Sequence, residues 1–172
     1  MKDRSGLAYI SVCWLIFAMS ACVATGGHSP KTALPVEVLK IGRQCLPAPK
    51  SWTATWIASP DQLRGMISRC HANRFGSLSK AMPSVDFARF GVLFVEMGQQ
   101  RSAGYGFDTK GVSASVDNQT AIVKLECRRP PPGAITAQML TSPWIMIRLP
   151  AGSYGNIRVV DQNSRFLARI EL

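Results

Sequence analysis

A chain of 172 residues with 47% hydrophobic side chains can bury one core, which argues against several independent domains. Its formal charge is +10, but the bases are scattered (Lys40, Arg43, Arg64, Arg89, Arg128, Arg148, Arg158, Arg169) and Arg128-Arg129 is the only adjacent pair. Nucleic-acid binders cluster bases on one element, so the charge describes a soluble basic surface, the alternative being a preference for anionic phospholipid, lipopolysaccharide or an acidic protein.

In chain order, Lys2 and Arg4 make a basic start and Gly6 to Ala21 is an apolar run interrupted by Ser11 and Ser20. This is the pattern of a secretory signal peptide over residues 1–21, and the run is short for a membrane span, which needs ~20 residues. Met19-Ser20-Ala21-Cys22 resembles a bacterial lipobox, with Met where Leu is usual. The expectation is export to the periplasm or cell envelope, with Cys22 as the lipidated mature N-terminus. Val23 lacks the Asp that favours inner-membrane retention, so a Gram-negative host would sort the chain to the outer membrane. Removing Lys2, Asp3 and Arg4 with the signal leaves 18 bases against 9 acids. Residues 22–34 read as a flexible tether, being Gly/Pro/polar without periodicity, and 35–172 as a single domain.

Val36 to Ile41 and Trp52 to Ile57 are β-branched or aromatic and predict strands. Ser59-Pro60-Asp61-Gln62 carries an N-cap residue, Pro at the first helical position and Gln in capping-box spacing. With Leu63, Met66 and Ile67 at helical intervals, it predicts a helix from Pro60 to Cys70. His71 to Pro83 is irregular. Phe87 to Met97 is the strongest strand, and its unbroken apolar centre predicts a central position. Gly98 to Gly106 is turn-rich. Val112 to Val116 and Thr120 to Arg128 predict a hairpin around Asp117-Asn118. Arg129-Pro130-Pro131-Pro132-Gly133 cannot join a ladder and should project as a loop. Trp144 to Leu149 alternates. Ile157 to Val160 and Phe166 to Leu172 predict a last hairpin, with Phe166, Ala168 and Ile170 facing in. About eight strands and one helix give a mainly β fold, an antiparallel β-sandwich or open barrel with one short α-helix.

Three cysteines fall in the domain. Ala121, Val123, Leu125 and Cys127 share one apolar strand face, so Cys127 is expected to be a buried thiol. Cys45 and Cys70 lie at element ends and are expected to form a disulfide, worth roughly 3 kcal/mol for the loop it closes.

The stretch Val85-Asp86-Phe87, apolar strand, Met97-Gly98, Gly104-Tyr105, hairpin, Arg129-Pro130-Pro131-Pro132-Gly133 and Ser142-Pro143-Trp144 to Leu149-Pro150 resembles the C-terminal domain of the PrcB family. These are companion subunits of a secreted subtilisin-like protease complex, and many relatives are small exported lipoproteins. The resemblance implies a β-rich domain that binds a protein partner, a protease or an envelope assembly, and supplies no catalytic residues. Ser102-Ala103-Gly104-Tyr105 is also similar to the first binding loop of chagasin-type protease inhibitors, which plug a protease cleft with three adjacent loops. The other two would be Arg129–Gly133 and Ser142–Trp144.

A hydrolase needs a nucleophile, a base and an orienting acid. His28 lies in the tether, His71 follows Cys70, and no G-x-S-x-G occurs. An envelope hydrolase of unrecognised type is the third reading. No C-x-x-C supports a metal, and no phosphate-cradling glycine loop precedes a helix, so no metal, cofactor, nucleotide or nucleic acid is expected. Asp86 is expected at the start of the central strand and Glu96 paired with an arginine. The candidate partner-binding residues are Arg101, Gly104 and Tyr105, then Arg129, Pro131 and Pro132, then Pro143 and Trp144. Arg and Tyr are types enriched at binding hot spots, and a Pro-rich backbone docks with little ordering cost.

Overall fold

The computed structural model describes residues 31–71, 82–152 and 154–172. The signal, Cys22 and His28 lie outside the described residues. Nine strands and one helix are seen among them: β1 (Thr32–Leu34), β2 (Glu37–Gly42), β3 (Thr53–Ile57), α1 (Pro60–His71), β4 (Phe90–Glu96), β5 (Gly106–Asp117), β6 (Thr120–Arg128), β7 (Trp144–Pro150), β8 (Asn156–Asp161) and β9 (Phe166–Glu171). They form a five-stranded sheet, β1-β5-β6-β8-β9, and a four-stranded sheet, β2-β7-β4-β3. The result is a sandwich with one helix on its outside, not a closed barrel.

β4 explains its own unbroken apolar run. Leu93 and Val95 face the five-stranded sheet, together with Ile145, Ile147 and Leu149 of β7 and Val123, Leu125 and Ile157 from across the gap. Val92 and Phe94 face the other way, with Trp144 and Met146, onto Leu63 and Ile67 of α1. A strand wet on neither face has no reason to alternate. The helix begins as the capping pattern requires: Gln62 N–H donates to Ser59 Oγ at 3.3 Å, and Ala58 N–H donates to Gln62 Oε1 at 2.8 Å.

Two links fasten α1 to the sheet. Cys45 and Cys70 form a disulfide closing a separation of 25 residues, as expected. Arg69 Nη2 meets Glu96 Oε2 at 2.6 Å, and Arg69 lies over the Phe94 ring. Glu96 is 3% exposed, the one buried carboxylate besides Asp161 among the described residues.

Several expectations are corrected. The end of the supposed tether is β1, paired with Ala114–Val116 of β5; a strand of three residues is too short to show a period. The central strand starts at Phe90, because residues 87–89 form a turn in which Asp86 O accepts from Arg89 and Phe90 N–H and Asp86 Oδ1 from Ala88 N–H. β5 starts at Gly106 instead of Val112, with a bulge between Asp108 and Ser113 that hid its alternation. The hairpin turn sits one residue later than expected: Asn118 and Gln119 both have positive φ, at 45° and 61°. β6 and β8 run parallel, because β7 crosses to the other sheet between them. Phe166 is exposed under Arg158 instead of facing in, since the ladder slips between Val159 and Val160 and turns Leu167 toward the core.

Cys127 is free and buried. Burial first, then the Asp161 carboxylate, pushes its thiol up from 9.0 to about 12. The folded protein therefore keeps this proton where the unfolded chain has lost it, so the contribution is intact below pH 9 and declines above it. A urea midpoint that falls more steeply above pH 9 in the wild type than in Cys127→Ala is expected. A second expectation concerns the ion pair. Arg69→Met strands a buried carboxylate and should cost about 3 kcal/mol, whereas Arg69→Met with Glu96→Gln should recover most of it, both read from urea unfolding.

Candidate functional site

One end of the sandwich is built from two long connections, residues 97–105 after β4 and 129–143 after β6. They are not independent loops. Gln100 and Thr141 exchange both backbone hydrogen bonds, at 2.8 and 2.9 Å. Ala103 N–H donates to Ala137 O at 3.1 Å, and Thr141 Oγ1 donates to Ser102 O at the same distance. Gly104 completes the fit: a Cβ there would lie 3.0 Å from both Pro130 Cβ and Thr136 Cγ2. Gly98, at φ +75°, turns the first connection where a Cβ would meet the Ser51 backbone at 2.8–2.9 Å.

The predicted residues separate into two groups. Arg101, Arg129, Pro131 and Pro132 are exposed, and Tyr105 is half-buried. Gly104 holds the two connections together. Pro143 and Trp144 do not belong to this surface. Trp144 is 3% exposed, stacks against Phe94 at 5.6 Å, and its indole N–H donates to Gln44 O at 3.1 Å. Its apolar neighbours under α1 account for this: a large ring on a doubly covered strand is core. A three-loop inhibitor edge consequently lacks its third exposed loop.

Tyr105 forms a wall between two cavities. The larger, about 400 Å³, lies between the end of β2 (Ile41, Gly42, Arg43) and Gly106, Phe107 and Arg128. The second, about 300 Å³, is lined by Trp52, Met97, Gln100 and Arg129. Successive residues at the end of β6 thus serve opposite sides, Arg128 one cavity and Arg129 the other. A third recess, about 130 Å³, holds Ser142 beside Leu46 and Leu140. Ser142 Oγ is buried without a hydrogen-bond partner among the described residues. Ile135, Met139 and Leu140 stand exposed on the second connection, with Ile41 and Leu46 on neighbouring segments.

Sequence reading missed Ile41, Arg43, Trp52 and Leu46, which reach this end from β2 and its following segment. Arg43 lay two residues past a predicted strand, but pairing of β2 with β7 brings it here and leaves no local trace. The adjacent pair Arg128-Arg129 was visible, and its division across Tyr105 was not. Chemically, the end offers guanidinium groups, aromatic walls and backbone. Among the described residues no three His, Cys, Asp or Glu side chains come together as a metal site. The thiol nearest the end of β6, Cys127, is held protonated by burial.

These features define a class: a two-sheet sandwich whose adaptable end is a pair of interlocked loops above basic, aromatic-walled clefts. Residues 92–150 match the model of the family described as PrcB C-terminal, which places this stretch with that family. The match starts within β4 and ends at the close of β7, enclosing both loops and the paired strands that carry them. No curated protein and no solved structure matches the chain.

If the loops act as one unit, Gly104→Val should wedge them apart. The expected cost is about 1–2 kcal/mol, and amide exchange at Ala103 and Thr141 should accelerate more than in the β4–β7 core.

Proposed function

We propose that this chain is an exported, lipid-anchored, non-enzymatic companion subunit that binds another protein, a protease or envelope-assembly component, through the loop end. The observation that carries the reading is the PrcB C-terminal match, which encloses both interlocked loops and the strands that fix them. The resemblance attaches that family to companion subunits of a secreted protease complex. The signal-like residues 1–21 and the lipobox-like Met19-Ser20-Ala21-Cys22 support export and anchoring. The disulfide Cys45–Cys70 suits an oxidising compartment. A rigid core with binding residues on loops is a common division of labour, since loops vary without disturbing packing.

The full chain expressed in a bacterial host should incorporate labelled palmitate and fractionate with membranes. Cys22→Ala should lose both while remaining folded. Cross-linking in intact envelopes should trap a discrete partner, and Gly104→Val should reduce its yield. A wild-type chain that stays in the cytoplasm, or traps nothing, sinks the proposal.

A further inference from the structure

The larger cleft has a charge pattern that the protein itself leaves unanswered. Arg64, Arg69, Arg148 and Arg169 each have a carboxylate partner. Arg43 and Arg128, which both line the cleft, have none within 4 Å among the described residues, and neither does Arg101 or Arg129. Acids near the two arginines in sequence or across the β5–β6 ladder are turned to other work, and Glu37 is paired with Arg148. Asp108 Oδ1 accepts from Lys110 N–H at 3.0 Å, and Glu126 Oε2 lies 3.5 Å from where a Cβ on Gly111 would be. Arg128 lies across Gly106, where a Cβ would be 3.0 Å from Nη2, so the missing side chain makes room for the guanidinium.

The backbone around the cleft is also unfinished. β2 is an edge strand, bonded only to β7, and β1 pairs with β5 only at Ala114–Val116, leaving Gly106 to Asp108 without a strand on that side. Between these edges lie Ile41, which is exposed, and the Tyr105 ring. Unpaired strand edges accept extended backbone, arginine forks accept carboxylates, and an apolar cleft accepts an alternating side chain.

We infer that the cleft between the end of β2 and the start of β5 docks an extended acidic segment of a protein partner, with carboxylates on Arg43 and Arg128 and an apolar side chain against Tyr105. The inference rests on the protein-binding reading and names its site and the chemistry of its partner. Two guanidiniums lining one cleft beside an aromatic ring select against basic segments by repulsion as well as for acidic ones by attraction. Because the charges are exposed, the interaction weakens with salt.

The test uses the purified full chain in detergent and fluorescein-labelled peptides of about twelve residues, one alternating Glu and Leu, the other Lys and Leu. Anisotropy should show the Glu peptide binding at least about tenfold tighter, with the preference lost near 0.5 M salt. Arg43→Glu with Arg128→Glu should abolish the preference without lowering the melting temperature. Gly106→Ala, which moves Arg128 without changing charge, should weaken binding several-fold. Equal binding of both peptides, an unaffected double variant, or binding to anionic phospholipid vesicles in place of the Glu peptide overturns the inference. A wild-type chain that traps a partner in envelopes yet ignores the Glu peptide removes this site and leaves the protein-binding reading standing. Peptide binding with no trapped partner does the reverse.

Discussion

Everything else in the fold leans on the pairing of β4 with β7. Seven registered pairs, from Phe90 opposite Pro150 to Glu96 opposite Trp144, place two apolar strands side by side. From Gly91 to Glu96 and from Trp144 to Ile147 neither strand is wet on either face. One side closes against β5, β6 and β8, the other against α1, so a single pair of strands belongs to two hydrophobic clusters at once. A β-sandwich ordinarily buries one face of each sheet; here the helix makes a third layer, and the pair becomes the middle of the protein.

That arrangement explains where the links go. A helix of twelve residues covers little area, and its buried residues are only Leu63, Ile67 and Cys70, with Met66 half-buried beside them. The disulfide ties its last turn to the segment after β2, and Arg69 ties it to the end of β4. Both fastenings lie at the end that carries the loops. The glycines opposite the two large rings serve the same packing: a Cβ on Gly42 would fall 2.3 Å from the Trp144 ring, and one on Gly91 2.0 Å from Trp56. The loops above can therefore be irregular and exposed without loosening the floor beneath them.

The parts of this structure legible in the sequence are those written in local periodicity. The capping pattern at Ser59, the unbroken run through β4, the alternation of Ala121 to Cys127 and the disulfide could all be read residue by residue. The parts that were not legible depend on pairing between distant segments. β1 is three residues long, the β5 bulge erases its period, and the slip between Val159 and Val160 turns Phe166 outward. The candidate surface divides the same way. Gly104, Tyr105, Arg129 and the prolines could be chosen by residue type and loop position. Trp144 could be read as an exposed anchor after the Pro143 turn or as a core aromatic, and it is buried because the strand that follows is covered on both faces. Arg43 was overlooked because only the β2–β7 ladder brings it to the same end as Arg128.

The buried thiol of Cys127 has a bearing on how the chain matures. Cys45, Cys70 and Cys127 allow three pairings in an unfolded chain, and the native one closes the shortest loop of the three. Loop-closure entropy favours that bond while the chain is still unfolded. Once β6 docks, Cys127 disappears between the sheets with its proton held, and thiolate is the species that attacks a disulfide. The same burial that fills the core thus acts as a latch on redox isomers: once the domain is folded, the free thiol among the described residues is withdrawn from attack on the bridge.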